Sequence, residues 1–149
     1  MITGSQVATC ASGWLATPYL HQAHARGLGC DCAGLVGGVA VELGIVPADW
    51  WETQAAPYAG YSRQPANGML ERICNGFMTR IDLDDAQFGD VVGIRWSKEM
   101  QHLGILAPYQ FGGFSLIHAY ESAGAVVEHR FADVWRKRVT HCWRMPGVE

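Results

Sequence analysis

The chain has 149 residues, 49% of them hydrophobic and 17% charged, with a formal net charge of −3. This suits one domain, 1–149, able to bury a core without metal or disulfide support, and it excludes a disordered chain. The slight acidic balance argues against a nucleic-acid binder, since Arg136, Lys137 and Arg138 are the only basic cluster and read as solvated surface.

Taken in chain order, residues 5–16 carry Val7, Ala8, Ala11, Trp14, Leu15 and Ala16 at helical spacing, with Ser5 or Thr3 to cap and a stop before Pro18. Residues 32–43 read as a second helix, with Asp31 as N-cap and Gly44 just past its end. Gly34, Gly37 and Gly38 are poor helix formers, so with Ala33 they predict close packing against a neighbour. Residues 45–66 look irregular because Pro47, Pro57 and Pro65 break any long element; a short helix at 67–77, capped by Asn67, follows. From Gly89 the pattern turns to strands at 90–96, 102–107, 114–120, 125–131 and 139–145, with turns at Gly112-Gly113 and Gly124 and one helical turn at 132–137. Helices first and antiparallel strands second predict an α+β domain, its N-terminal helices packed on a sheet of about five strands.

The five cysteines are odd in number and irregular in spacing, which fits free thiols better than a disulfide scaffold. Cys30 and Cys32 lack a second ligand pair, so no metal site is expected. No charged stretch precedes an apolar run at the N-terminus, and no run is long enough to span a bilayer. The expectation is synthesis in the cytoplasm without a signal peptide, and no membrane insertion.

Chemistry concentrates in Gly29-Cys30-Asp31-Cys32-Ala33-Gly34-Leu35-Val36. If Asp31 caps the helix, Cys32 occupies its first turn, where unpaired N–H groups and the helix dipole favour a thiolate nucleophile. The N–H of Cys32 is also placed to hold an oxyanion. On this segment alone Cys32 reads equally well as a small hydrophobe at a helix start. His102 and His118 fall on adjacent predicted strands, where both side chains can share one face. His102 is then the candidate base and His118 the group that orients it. His21, His24, His129 and His141 have no motif around them and read as structural. Trp50, Trp51, Tyr58 and Tyr61 either rim a cleft or lie partly buried beneath a long loop.

The order D-C-x-G-L-V, then H-x-G-I, then I-H-A resembles the NlpC/P60 family of bacterial cell-wall peptidases, which has a papain-like fold. Ala16-Thr17-Pro18-Tyr19 and Gly89-Asp90-Val91-Val92 are similar to two further family segments, so the likeness runs from about Val7 to Met145. Gly29-Cys30-Asp31-Cys32 and Ile117-His118-Ala119-Tyr120 look like the branch found in phages, prophages and gene transfer agents. The resemblance implies Cys32 as nucleophile, His102 as base, His118 as orienting residue, Tyr19 near the oxyanion, and Asp31 beside Ala33 in the subsite for the peptide stem. Ala33 stands where many members carry serine, which removes a hydroxyl from that subsite. Leu20-His21-Gln22 replaces the usual Trp-Gly-Gly. The implied activity is cleavage of peptidoglycan stem amides, commonly the γ-D-glutamyl–diamino acid bond, with no cofactor. The implied setting is a phage-like particle, with tail hub or baseplate proteins as partners. The alternatives are a catalytically silent tail-tip adaptor, an amidase or acyltransferase for another substrate, and a metal module using Cys30, Cys32 and a histidine.

Overall fold

In the computed structural model, which describes residues 1–56, 60 and 68–149, Thr3 opens helix α1 (Gly4–Ser12) with a capping box. Its side chain accepts from the Gln6 N–H while the Gln6 side chain accepts from the Thr3 N–H. The helix ends four residues before its predicted limit. Gly13 favours an ending there, and Arg26 Nε donates to the Gly13 carbonyl at 2.9 Å, satisfying a group the helix end leaves open.

A short antiparallel ribbon, β1 (His24–Ala25) and β2 (Gly29–Cys30), leads into helix α2 (Cys32–Glu42). The glycines of α2 have the expected cause. A Cβ on Gly34 would fall 1.9 Å from the Ala23 carbonyl oxygen, and one on Gly37 or Gly38 would strike Trp51 or Trp14. Close packing here offsets poor helix propensity. The stretch read as irregular contains one helical turn, α3 (Trp50–Thr53), and α4 (Met69–Phe77) follows. The predicted cap Asn67, the breakers Pro57 and Pro65, and Tyr58 and Tyr61 lie outside the described residues.

The main sheet has six strands rather than about five. They are β3 (Thr79–Ile81), β4 (Val91–Arg95), β5 (Met100–Pro108), β6 (Phe114–Tyr120), β7 (Ala125–Arg130) and β8 (Val139–Arg144), with the turn α5 (Asp133–Arg136) before the last. The order is β3-β8-β4-β5-β6-β7 and every pair is antiparallel. The strand missing from the sequence reading, β3, has three mostly exposed residues, too few to show a period of two. Hence α+β is the architecture.

The central strands are covered on both faces, which explains their nearly continuous apolar runs. Leu103, Ile105, Ile117 and Trp143 pack with Val7, Trp14, Leu35 and Val39 of the helical layer. Val92, Ile94, Leu106, Leu116 and Cys142 form a smaller cluster on the other side with Trp96 and Trp135. Each fully buried Leu or Ile contributes about 1.5–3 kcal/mol. Asp90, buried at the start of β4, accepts a two-pronged contact from Arg144 at 2.9 and 2.7 Å. That pair ties β8 to the Gly89-Asp90 segment.

Candidate active site

Asp31 places Cys32, the candidate nucleophile. Its Oδ1 accepts from the Gly34 N–H at 2.8 Å, capping α2, and its Oδ2 accepts from the Gln22 N–H at 2.7 Å. The carboxylate is 2% exposed, and both oxygens are engaged by its own chain. Cys32 therefore starts the helix with its backbone anchored on either side. It lines a cleft with Tyr19, Trp96, Gln101, His102, Ala119, Tyr120, Glu121 and Ser122. Ala33, one residue on, lines a different, apolar pocket with Trp50, Trp51, Cys74, Phe77 and Leu103. Thus the structure gathers Cys32, His102 and Tyr19 in one cleft, sets Asp31 beneath the helix start, and turns Ala33 to the other side.

Strand register places His102, the candidate base. Ile105 pairs with Ile117, so continuing the ladder sets Gly104 opposite His118 and His102 diagonal to it. A Cβ on Gly104 would lie 2.4 Å from Leu116 Cδ1 and 3.4 Å from His118 Cβ. Glycine in the H-x-G-I segment thus leaves room for the His118 ring to reach its neighbour. His102 Nε2 and His118 Nδ1 are 2.7 Å apart, so His118 holds the His102 imidazole from the side away from its Nδ1. Trp96 stacks on His102 at 4.9 Å, fixing the ring plane.

Burial controls the charge state. It pushes the Cys32 thiol up to about 12, with the Asp31 charge adding to the effect. The N–H groups of Leu103, Ala33 and Cys32 itself pull the other way and are outweighed. Desolvation, and after it the Asp31 charge, oppose the helix-dipole effect that favours a thiolate in the sequence reading. Burial likewise lowers His102 to about 3 and His118 further, to about 2. Burial thus favours the uncharged form of both the Cys32 thiol and the His102 imidazole.

The remaining histidines divide. His24 stacks on Trp51 at 4.1 Å, and His141 Nε2 lies 2.9 Å from the Glu71 carboxylate, both in structural roles. His129 is different, because its Nε2 is 2.8 Å from His118 Nε2. The β6–β7 register, which pairs His118 with Val127, brings 118 and 129 to one face. Trp96, Gln101, Glu121 and Ser122, also unanticipated, complete the cleft wall. Trp50 is buried and Trp51 half-buried, and both line the apolar pocket beside Ala33 rather than the cleft that holds Cys32. All five cysteines are free, and among the described residues no three His, Cys, Asp or Glu side chains gather as metal ligands would.

Among solved structures, NlpC2 from Trichomonas vaginalis aligns over 95% of this chain and 46% of its own, at 18% identity and a TM-score of 0.67. The related NlpC1 aligns over 44% of its length, so the chain spans less than half of either protein. The NlpC/p60 domain of the peptidoglycan hydrolase SagA aligns over 97% of this chain and 100% of its own, at 19% identity and a TM-score of 0.61. At such identities the likeness carries the fold alone. No curated protein matches the chain. The sequence pattern of the NlpC/P60 family, however, matches residues 16–144, a span holding the helix-borne cysteine, the paired strand histidines and the Asp90–Arg144 clamp. The chain belongs to the NlpC/P60 family.

Proposed function

We propose that the chain is a cysteine peptidase that hydrolyses amide bonds in the peptide stems of peptidoglycan. The observation that carries this reading is the shared cleft of Cys32 and His102, with His102 held by His118 at 2.7 Å. Support for the substrate comes from SagA, described as a peptidoglycan hydrolase, and from a Bacteroides uniformis N-acetylmuramoyl-L-alanine amidase. The latter aligns over 95% of this chain and 98% of its own, at 12% identity and a TM-score of 0.56.

In the proposed reaction the Cys32 sulfur attacks the stem carbonyl as its proton passes to His102 Nδ1. The Cys32 N–H and the Tyr19 hydroxyl serve the developing oxyanion. His102 then gives its proton to the leaving amine, and a thioester forms. Water, deprotonated by His102, releases the acid and restores the thiol. The bond proposed is γ-D-glutamyl to diamino acid. The proposed setting is a phage-like particle, made in the cytoplasm, that opens the wall locally for DNA delivery while docked on tail hub or baseplate proteins. The support for that setting is the similarity of the Gly29–Cys32 and Ile117–Tyr120 segments to the phage branch.

Digestion of purified peptidoglycan, followed by mass spectrometry of the fragments, tests the activity. Wild type is expected to release γ-glutamyl-cleaved stems, and Cys32→Ser to lose at least about 10³-fold in rate. Release of intact stems would move the cleaved bond to the muramoyl–alanine amide. Inactivity of both folded proteins would favour a silent adaptor.

A further inference from the structure

The three histidines form a chain across β5, β6 and β7. His102 Nε2 meets His118 Nδ1 at 2.7 Å, His118 Nε2 meets His129 Nε2 at 2.8 Å, and His129 Nδ1 meets the Arg130 carbonyl oxygen at 2.9 Å. His118 is fully buried. Tyr120 stacks on it at 5.0 Å, and Trp135 packs edge-on against it at 5.1 Å and against His129 at 5.1 Å. Both nitrogens of His118 therefore depend on the two neighbouring histidines.

A carbonyl oxygen only accepts. Neutral His129 must then carry its proton on Nδ1, leaving Nε2 as an acceptor. His118 must donate from Nε2, so its Nδ1 accepts. His102 must donate from Nε2, and its Nδ1 is left bare. The reverse polarity would set the lone pairs of His129 Nδ1 and the Arg130 oxygen against each other at 2.9 Å.

We infer that His129 is a positioning residue which, anchored on the Arg130 carbonyl, dictates through His118 that His102 presents an unprotonated Nδ1 to the nucleophile. The inference rests on Cys32 and His102 being the reacting pair, and not on the identity of the substrate. A proton on His102 Nδ1 would block the base without moving any backbone.

Histidine-selective ¹⁵N labelling of the full chain at about pH 8, where an ordinary imidazole is neutral, reads each tautomer from its two-bond ¹⁵N–¹H pattern. The rate of Cys32 alkylation by iodoacetamide, followed by peptide mass spectrometry, reads the base without any wall substrate. In wild type, His102 and His118 are expected as Nε2–H tautomers and His129 as Nδ1–H. His129→Phe, which keeps a ring and removes the acceptor, is expected to shift His102 toward Nδ1–H and slow alkylation about ten-fold or more. His129→Gln, whose Oε1 can stand in for Nε2, is expected to restore alkylation to within about three-fold of wild type. An Nδ1–H tautomer at His102 in wild type overturns the inference, as does wild-type alkylation by His129→Phe. If His129→Phe fails to fold, the wild-type tautomers and His129→Gln still decide. Expected tautomers without wall cleavage would remove only the proposed substrate.

Discussion

Cys32 and His102 line the same cleft but are held there by different kinds of contact. Asp31 anchors the helix start that carries Cys32 through partners three and nine residues away in the chain, Gly34 and Gln22. The base depends on partners 16 and then 11 residues apart, reached only when three strands align. The first half is a local device, a capped helix start. The second is a diagonal across a sheet, and a one-residue slip would send every histidine to the opposite face. Local contacts fix the position of Cys32, while burial first and the capping carboxylate second raise its thiol pKa. The diagonal supplies the opposite, a base whose orientation is specified and whose neutral form is protected by burial.

The largest effect expected from breaking this contrast falls on the local half. Asp31→Ala removes a helix cap and orphans the Gln22 N–H, so denaturant unfolding should show a loss of about 2–4 kcal/mol. Removing that charge should also lower the Cys32 pKa, so that alkylation at a given pH rises in the fraction that stays folded. Unchanged stability would mean the cap is dispensable and the tertiary core holds α2 alone.

On the sheet side, Gly104→Ala inserts a methyl 2.4 Å from Leu116 Cδ1, and overpacking should cost about 1–3 kcal/mol. His118 would be displaced with Leu116, so Cys32 alkylation should slow even where the fold persists. Normal alkylation in a destabilised variant would separate packing from alignment.

The smallest effect is in pH dependence. Above an ordinary histidine pKa of about 6.5, His102 and His118 are neutral whether folded or unfolded, and they add no pH dependence. As pH falls below that value the unfolded chain takes up protons while the folded sites, lowered by burial, do not. Stability should therefore drop on acidification, by about 1.4 kcal/mol per pH unit for each histidine. His118→Gln should remove one such contribution from the slope between about pH 6 and pH 4. An unchanged slope would show that native His118 takes up protons like a surface histidine.

The same contrast explains what could be read beforehand. Asp31 as cap, the α2 glycines as packing points and the five long strands each leave a signature in a few neighbouring residues. The early end of α1 leaves only Gly13 as a mark, and the contact from Arg26 to the Gly13 carbonyl that completes it comes from a distant segment. Strand β3 leaves none, because its three residues acquire meaning only by pairing with β8. His129 looked like any strand histidine until the hairpin register put it beside His118.

By itself the sequence determined the α+β architecture and put forward Cys32, His102 and His118 as candidate site residues. Helix caps, apolar periodicity and turn glycines act over one to four residues and are legible as spacing. Only the tertiary structure decided that burial raises the Cys32 thiol pKa, that consecutive residues Cys32 and Ala33 line different pockets, and that His129 comes within 2.8 Å of His118. Those outcomes are set by desolvation, strand register and contacts between distant segments, and none of these is a property of neighbouring residues in the chain.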